Sequence, residues 1–350
     1  MKLLIGGYTQ KNTAEGVYTA DLNLETGKFN TPTLLKEAIN PSFLALSHNK
    51  STLYFLEELC DKEGGGKINS FCLESSNNST TVASFGENPC YLGIGSTILV
   101  CANYSSGSLS AYSILKDGQI NSIKNGILQL KGKGPNKKRQ QSSHAHYFDF
   151  IDDSLFSIDL GSDTICEYEN PCSCASDLFE ACNKIKFKTP PGYGPRHLCQ
   201  NPFSQNEIWV SCELKSKVLC FQKVKSQWIL TQEVETLFHD DSELIKKNKI
   251  INYPSHLIFN PKNETLYTSN RGHDSISVFK KKSEVWTLVQ SHPSNGSFPR
   301  HFSVSPCGTF LLVANQLGNN ITCFKLDSQG LISKTTQSFN HPSPTCILFA

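Results

Sequence analysis

The stretch FPRHFSVSPCGTFLLVANQLGNNITCFKL, residues 298–326, alternates apolar runs with polar breaks. Short apolar runs bounded by Gly, Pro and Asn read as strands. Pro-Arg-His opens the first run, and Pro306-Cys307-Gly308 turns the chain. FLLVAN forms a second strand ending on a polar residue, and QLGNN leads to a third, ITCFKL. The same order recurs at 253–281, 194–223, 143–169, 88–114 and 40–74. A seventh copy is split between the chain ends. SPTCILFA, 343–350, supplies a first strand, and KLLIGGYTQKNTAEGVYTADLN, 2–23, supplies the second and third. The units begin about 45 to 59 residues apart, which suits four short strands each. ILTQEV (229–234) and TLVQS (287–291) are candidates for the weaker fourth strands, and SELIKKNK (242–249) for the one helix.

One four-stranded blade cannot bury both its faces, but blades stacked around an axis can. The expected fold is therefore all-β: a seven-bladed β-propeller of four-stranded blades spanning 1–350 as a single domain. The blade shared between the N- and C-termini closes the ring. An open solenoid or a pair of sandwiches gives no reason for a split repeat.

Composition agrees with strands: 21 Phe and 11 Tyr against a single Met in 350 residues. The formal net charge of +2 gives no global electrostatic case for nucleic acid or an anionic membrane. No apolar stretch approaches the ~20 residues of a membrane helix. MKLLIGGYTQ is too short for a signal-peptide core, so a cytoplasmic protein is expected. Most of the 14 Cys sit singly in apolar runs, as Cys101, Cys212, Cys220, Cys323 and Cys346 do, and are expected to be reduced. The Cys172-Ser-Cys174 pair is too isolated for a metal site.

In a propeller the first strands line a central channel, and their opening residues crowd one mouth together with the ends of the second strands. Superposing the repeats places Phe43, Tyr91, His146, His197, His256 and His301 at one level. Ser42, Cys90, Ala145, Arg196, Ser255 and Arg300 precede them. The second strands end on Glu57, Asn103, Asp159, Glu213, Asn270 and Asn315, with Gly7 in the split blade. Tyr8, Glu58, Tyr104, Leu160, Leu214, Arg271 and Gln316 follow. The blade repeat explains the recurring proline but not which blades carry Arg and His. Charges crowded in this way shift one another's pKa values and are costly unless a ligand uses them.

Guanidinium forks on Arg196, Arg271 and Arg300 match carboxylate or phosphate. His146 suits general acid–base work, and Glu213 would orient it or hold a water. Glu57 and Asn103, on blades without Arg, read as solvated or turn-capping residues. There is no G-x-S-x-G elbow and no Walker-type phosphate loop. The basic loop LKGKGPNKKRQQ, 130–141, leads into Ser143-His144-Ala145-His146. Its Lys137, Lys138 and Arg139 are either plain solvated residues or a cover reaching a phosphate.

The stretches GGYTQKNTAEGVYTADLNLETGKF, NPSFLALS, GPNKKRQQSSHAHYFDF, GYGPRHL, LYTSNRGHDSISVF and FPRHFSVSPCGTFLLVANQ together resemble the lactonase family of seven-bladed propellers. That family includes the propeller-type 6-phosphogluconolactonases and the fungal carboxy-cis,cis-muconate cyclases. The resemblance covers essentially the whole chain and implies an enzyme that opens or forms a lactone without a cofactor or metal. By motif position it puts the cyclase branch's functional His, Glu and two Arg on His146, Glu213, Arg196 and Arg271. The chain departs from the family pattern at His256, where a Glu is usual, and in CYLGIGST, which lacks a Pro-Asp-Gly turn.

The leading expectation is a hydrolase acting on 6-phosphoglucono-1,5-lactone, a pentose phosphate pathway step. Arg300, with His301 or His197, would clamp the phosphate, and His144 and Arg139 are further substrate-binding candidates. Sequence does not rank His144 against His146, although repeat register favours His146. A muconate-type cycloisomerase is one alternative. The other is an inactive propeller that binds a protein partner, which polar mouth loops disfavour. The expected partner is a small anionic lactone, with no nucleic acid or membrane, and the expected assembly is a monomer or weak dimer.

Overall fold

A computed structural model describes residues 1–9, 14–63, 65–75, 79–169, 178–179 and 183–350. Cys172 and Cys174 lie outside the described residues. The chain forms seven antiparallel sheets, the blades of a seven-bladed β-propeller. Six follow simple strand order, and one joins the two ends of the chain. Two compact units make up the molecule. Met1–Glu37 with Arg196–Ala350 holds four blades, and Ala38–Pro195 holds three.

In the four-blade unit, the second strand Phe310–Asn315 is buried at every residue. Alternate side chains of a strand point to opposite faces, so this one feeds two cores. Leu312 and Ala314 pack with Leu3, Ile5 and Ile347 of the split blade. Leu311 and Val313 pack with Tyr267, Ile276 and Val278 of the preceding blade. The split blade is as expected: Pro344–Phe349 pairs antiparallel with Lys2–Gly7, setting Leu3 opposite Phe349 and Ile5 opposite Ile347. Its outer strand is Thr33–Glu37, beside Gly16–Asn23. The fourth strands Gln227–Glu235 and Val285–Pro293 contain the expected segments and extend past them. The helix, His239–Lys247, begins three residues earlier than expected. Asp240 and Asp241 in its first turn, and Lys246 and Lys247 in its last, complement the helix dipole.

In the three-blade unit the same logic buries Tyr54, Val100, Tyr112, Phe148, Phe156 and Tyr168. Every described cysteine in the molecule is a free thiol. Burial pushes the Cys101 thiol well up, that of Cys220 up to about 12 and that of Cys323 up to about 11. They are packing groups, as expected.

A bulge recurs near the start of the first strands. Pro299 faces Asn315, yet His301 faces Ala314, leaving Arg300 as the extra residue. Pro89 and Tyr91 bracket Cys90 in the same way, Ala145 and Tyr147 bracket His146, and Pro344 and Cys346 bracket Thr345. A bulge re-aims the side chain it carries. This register corrects the repeat superposition in one blade: Tyr147, not His146, is the counterpart of His301, and His146 is the counterpart of Arg300.

A second correction concerns Glu213. Cys212 pairs with Lys217 where Asn103 pairs with Ser108, Asn270 with Ser275 and Asn315 with Asn320. Glu213 is therefore the counterpart of Arg271, Tyr104 and Gln316, one residue beyond the asparagine position. After both corrections, His146 and Arg300 share the bulge position, which the Pro-Arg-His match also gives to Arg196, and Glu213 and Arg271 share the exit of the second strand.

Candidate functional site

In the four-blade unit, Glu213 Oε2 lies 3.0 Å from Arg196 Nε and accepts from Arg271 Nη2 at 2.7 Å. The three side chains are only 3, 4 and 7% exposed for Arg196, Glu213 and Arg271. Two guanidiniums on one carboxylate leave a positive charge in a dry place, which favours an anion. Arg271 is further fixed by its Nε–H to the Tyr253 carbonyl at 3.3 Å and lies over the rings of Tyr253 and Phe298. The turn after it requires glycine. Gly272 has φ +95°, and a Cβ there would collide with the Ile251 carbonyl. Asp274 Oδ1 then accepts from the N–H groups of Gly272 and Phe298, tying the SNRGHDS turn to the next blade. Arg300, half-buried, sits over the Tyr8 ring at 5.3 Å.

Beside the guanidiniums lies a row of imidazoles. Arg196 Nη1 is 3.0 Å from His197 Nε2, and His197 Nδ1 is 3.0 Å from His256 Nδ1. His256 stacks on His301 at 4.1 Å. Burial, then the positive Arg196 and Arg300, push the His301 imidazole down to about 3. Burial, His301 and Arg196 hold His256 well below the ordinary histidine value. These rings are neutral near pH 7. His197 faces Arg196 and His256, while His301 Nδ1 accepts from Ile347 N–H at 3.4 Å with Cys346 Sγ 4.0 Å from Nε2.

The three-blade unit carries the other candidates. His144 Nδ1 donates to the Tyr104 carbonyl at 3.1 Å, which leaves Nε2 as the basic nitrogen of the neutral ring. The His144 ring stacks on Tyr104 at 4.6 Å, and His146 meets Tyr104 edge-on at 5.4 Å. His146 is buried, with Nδ1 3.8 Å from Cys90 Sγ. Arg139 Nη2 donates to the Tyr104 hydroxyl at 3.1 Å, so this part of the basic loop is docked, whereas Lys137 and Lys138 are exposed. Gln140 holds the loop down, donating to the Leu160 carbonyl and Asp163. Asp159 is a turn cap: it accepts from His144 N–H, Gly161 N–H and Ser162 Oγ.

Tyr104, which joins Arg139, His144 and His146, was not among the site candidates read from sequence; nor were Tyr8, Tyr253 and Phe298 under the arginines. For Tyr8 and Tyr104 the available signal was an aromatic residue on the exit position of two blades; Tyr253 and Phe298 gave none. Asn103 and Glu57 are structural, as expected. Asn103 donates to the Ser84 carbonyl and to Ser108 and Ser110, and Glu57 pairs with Lys67. The loops near Arg271 are less polar than expected, with Ile251 61% and Leu317 59% exposed. A cavity of about 1110 Å³ among Thr52, Tyr54, Ile98, Ile114, Asp117 and Phe150 holds none of the candidate residues. Among the described residues no group of three or more His, Cys, Asp or Glu could hold a metal ion.

A family model described as "Lactonase, 7-bladed beta-propeller" matches residues 2–349. The chain belongs to this lactonase family. Among curated relatives of this lactonase-family chain, a protein of Formosa agariphila named 6-phosphogluconolactonase is 30% identical over 96% of this chain and 95% of its own. One of the same name from Bacillus subtilis is 26% identical over 99% and 97%. A crystal structure from Bacteroides fragilis, provisionally assigned as a 6-phosphogluconolactonase, superposes with a TM-score of 0.87 at 28% identity, covering 100% of this chain and 97% of its own.

Proposed function

We propose that this lactonase-family chain hydrolyses a phosphorylated sugar lactone, with 6-phosphoglucono-1,5-lactone as the substrate. The observation that carries the reading is the buried Arg196–Glu213–Arg271 bridge, whose two cations exceed its one anion. The relatives named 6-phosphogluconolactonase support the substrate class. Water adds to the lactone carbonyl, the ring C–O bond breaks, and the ring oxygen leaves as a hydroxyl after taking a proton. Arg196 and Arg271 donate to the carbonyl oxygen as it becomes an oxyanion. One such donor is worth roughly 2.7–4 kcal/mol. Glu213 keeps both forks aimed and is not needed as a base. Arg300 takes the phosphate. A general base removes the proton from water, a contribution of ~10²–10⁴-fold.

The test compares initial rates on freshly made 6-phosphoglucono-1,5-lactone and on unphosphorylated glucono-1,5-lactone, each against its spontaneous background. Wild type should prefer the phosphorylated substrate, and Arg300→Ala should lose that preference by raising KM. Loss of turnover in His146→Ala or in His144→Ala names the base. Acceleration of neither lactone by wild type would overturn the reading and direct attention to dicarboxylate muconolactones.

A further inference from the structure

We propose that His197 and His256 are positioning residues, a relay of neutral imidazoles that fixes the guanidinium of Arg196 from the side away from Glu213. The proposal rests on the reading that Arg196 meets the substrate, and it adds what holds that arginine still. Guanidinium nitrogens only donate, so His197 Nε2, 3.0 Å from Arg196 Nη1, must be a lone pair. A neutral imidazole carries one proton, so His197 Nδ1 bears it and donates to His256 Nδ1, 3.0 Å away. His256 is thereby left with its proton on Nε2. Its ring lies flat on His301, 4.1 Å between centroids with planes 19° apart. His301 accepts from Ile347 N–H through Nδ1, which fixes its proton on Nε2 as well. His197 and His256 each have one allowed tautomer, set from Arg196, while His301, stacked on His256, has its own set by the backbone of the last strand.

The arrangement answers a physical problem. Arg196 is nearly inaccessible, and its Nε already faces Glu213. A second acceptor is needed to orient the rest of the fork, yet a second carboxylate would cancel the charge that an anionic substrate requires. A neutral imidazole supplies a lone pair without charge. The fork is then fixed on two sides and the net positive charge of the bridge survives. In this account the row of histidines serves Arg196 rather than contacting phosphate.

Two measurements test it. Histidine side-chain ¹⁵N shifts of the wild-type protein near neutral pH should show His197 as the Nδ1–H tautomer and His256 as Nε2–H, assigned with His197→Gln and His256→Asn. The second measurement is kinetic. His197→Leu should lower kcat by about 10–100-fold with a smaller change in KM, the pattern of a misplaced transition-state donor. His197→Gln, whose carbonyl can accept from Arg196, should recover most of that loss. His256→Phe should reproduce part of it, and His256→Asn should not.

A folded His197→Leu protein with wild-type kcat, or an Nε2–H tautomer at His197, overturns the relay. If His197→Leu fails to fold, the tautomer measurement and the His256 pair decide. If wild type hydrolyses no lactone, the reading of the reaction fails while the ¹⁵N shifts still judge the relay.

Discussion

Glu213 carries more of the site's stability than any neighbour, because one of its oxygens serves two buried guanidiniums. Removing one partner of a buried ionic group strands the other charges, at a cost of about 3–5 kcal/mol. Glu213→Ala should therefore unfold at markedly lower denaturant with an unchanged m-value, a larger loss than removing the exposed pair Lys246–Glu243 would give. The neutral histidines set a pH dependence. His301 is held at about 3 and His341 at about 4, against an ordinary value near 6.5, and His256 is also lowered. Between the folded and unfolded values the unfolded chain binds more protons, so stability falls as pH drops from 6.5 toward 4. Asp149, raised to about 7 by burial, works the other way: its contribution is present at low pH and lost as pH rises through about 7. One carboxyl opposes three imidazoles, so the net effect of acid is destabilising. Thermal unfolding should show Tm decreasing below pH 6.5. His341→Phe, which keeps the packing against Tyr18, should flatten that slope. An acid-insensitive Tm would contradict the assignment.

At the scale of the element, the bulge and the following turn aim the chemistry. Gly272→Ala should cost activity beyond its cost in stability, since the turn it distorts directly follows Arg271. Comparing kcat with the urea midpoint separates the two, and a stable variant with full kcat would contradict this role. The bulge also limits what a sequence shows. Strand order, the split blade and the fourth strands were legible, because alternation of apolar and polar residues fixes strands without needing exact register. The register within the first strands was not, since the bulge inserts one residue where the alternation would otherwise continue. His146 was thus placed level with His301 when it shares the level of Arg300. Glu213 was placed level with the asparagines because Cys212 replaces the polar residue there. The signals that resolve both are the residues beside them: AHYF, PCYL and PRHF align on the final apolar residue, and SCE, SNR and ANQ on the small first residue. The tautomer of His144 was not legible, because the Tyr104 carbonyl that sets it lies far off in sequence, and the one proposed for His197 turns on how the neighbouring Arg196 side chain folds onto the ring and on His256.

At the scale of the molecule, seven copies of one blade give seven versions of two positions, and four of the copies carry the candidate residues. The bulge position holds Arg196, Arg300 and His146 beside Cys90, Ser255 and Thr345. The exit position holds Glu213 and Arg271 beside Tyr104 and Gln316. Repetition supplies the geometry, and the departures from repetition supply the site. The claim that joins these scales is that the Arg196–Glu213–Arg271 bridge stabilises the oxyanion of an opening lactone. Its most direct test is the rate of acid release from fresh 6-phosphoglucono-1,5-lactone with wild type, Arg196→Ala and Arg271→Ala, each compared with the uncatalysed rate. The account predicts acceleration by wild type and a loss of about 10²–10³ in kcat for each variant. Arginine variants as active as wild type would contradict it.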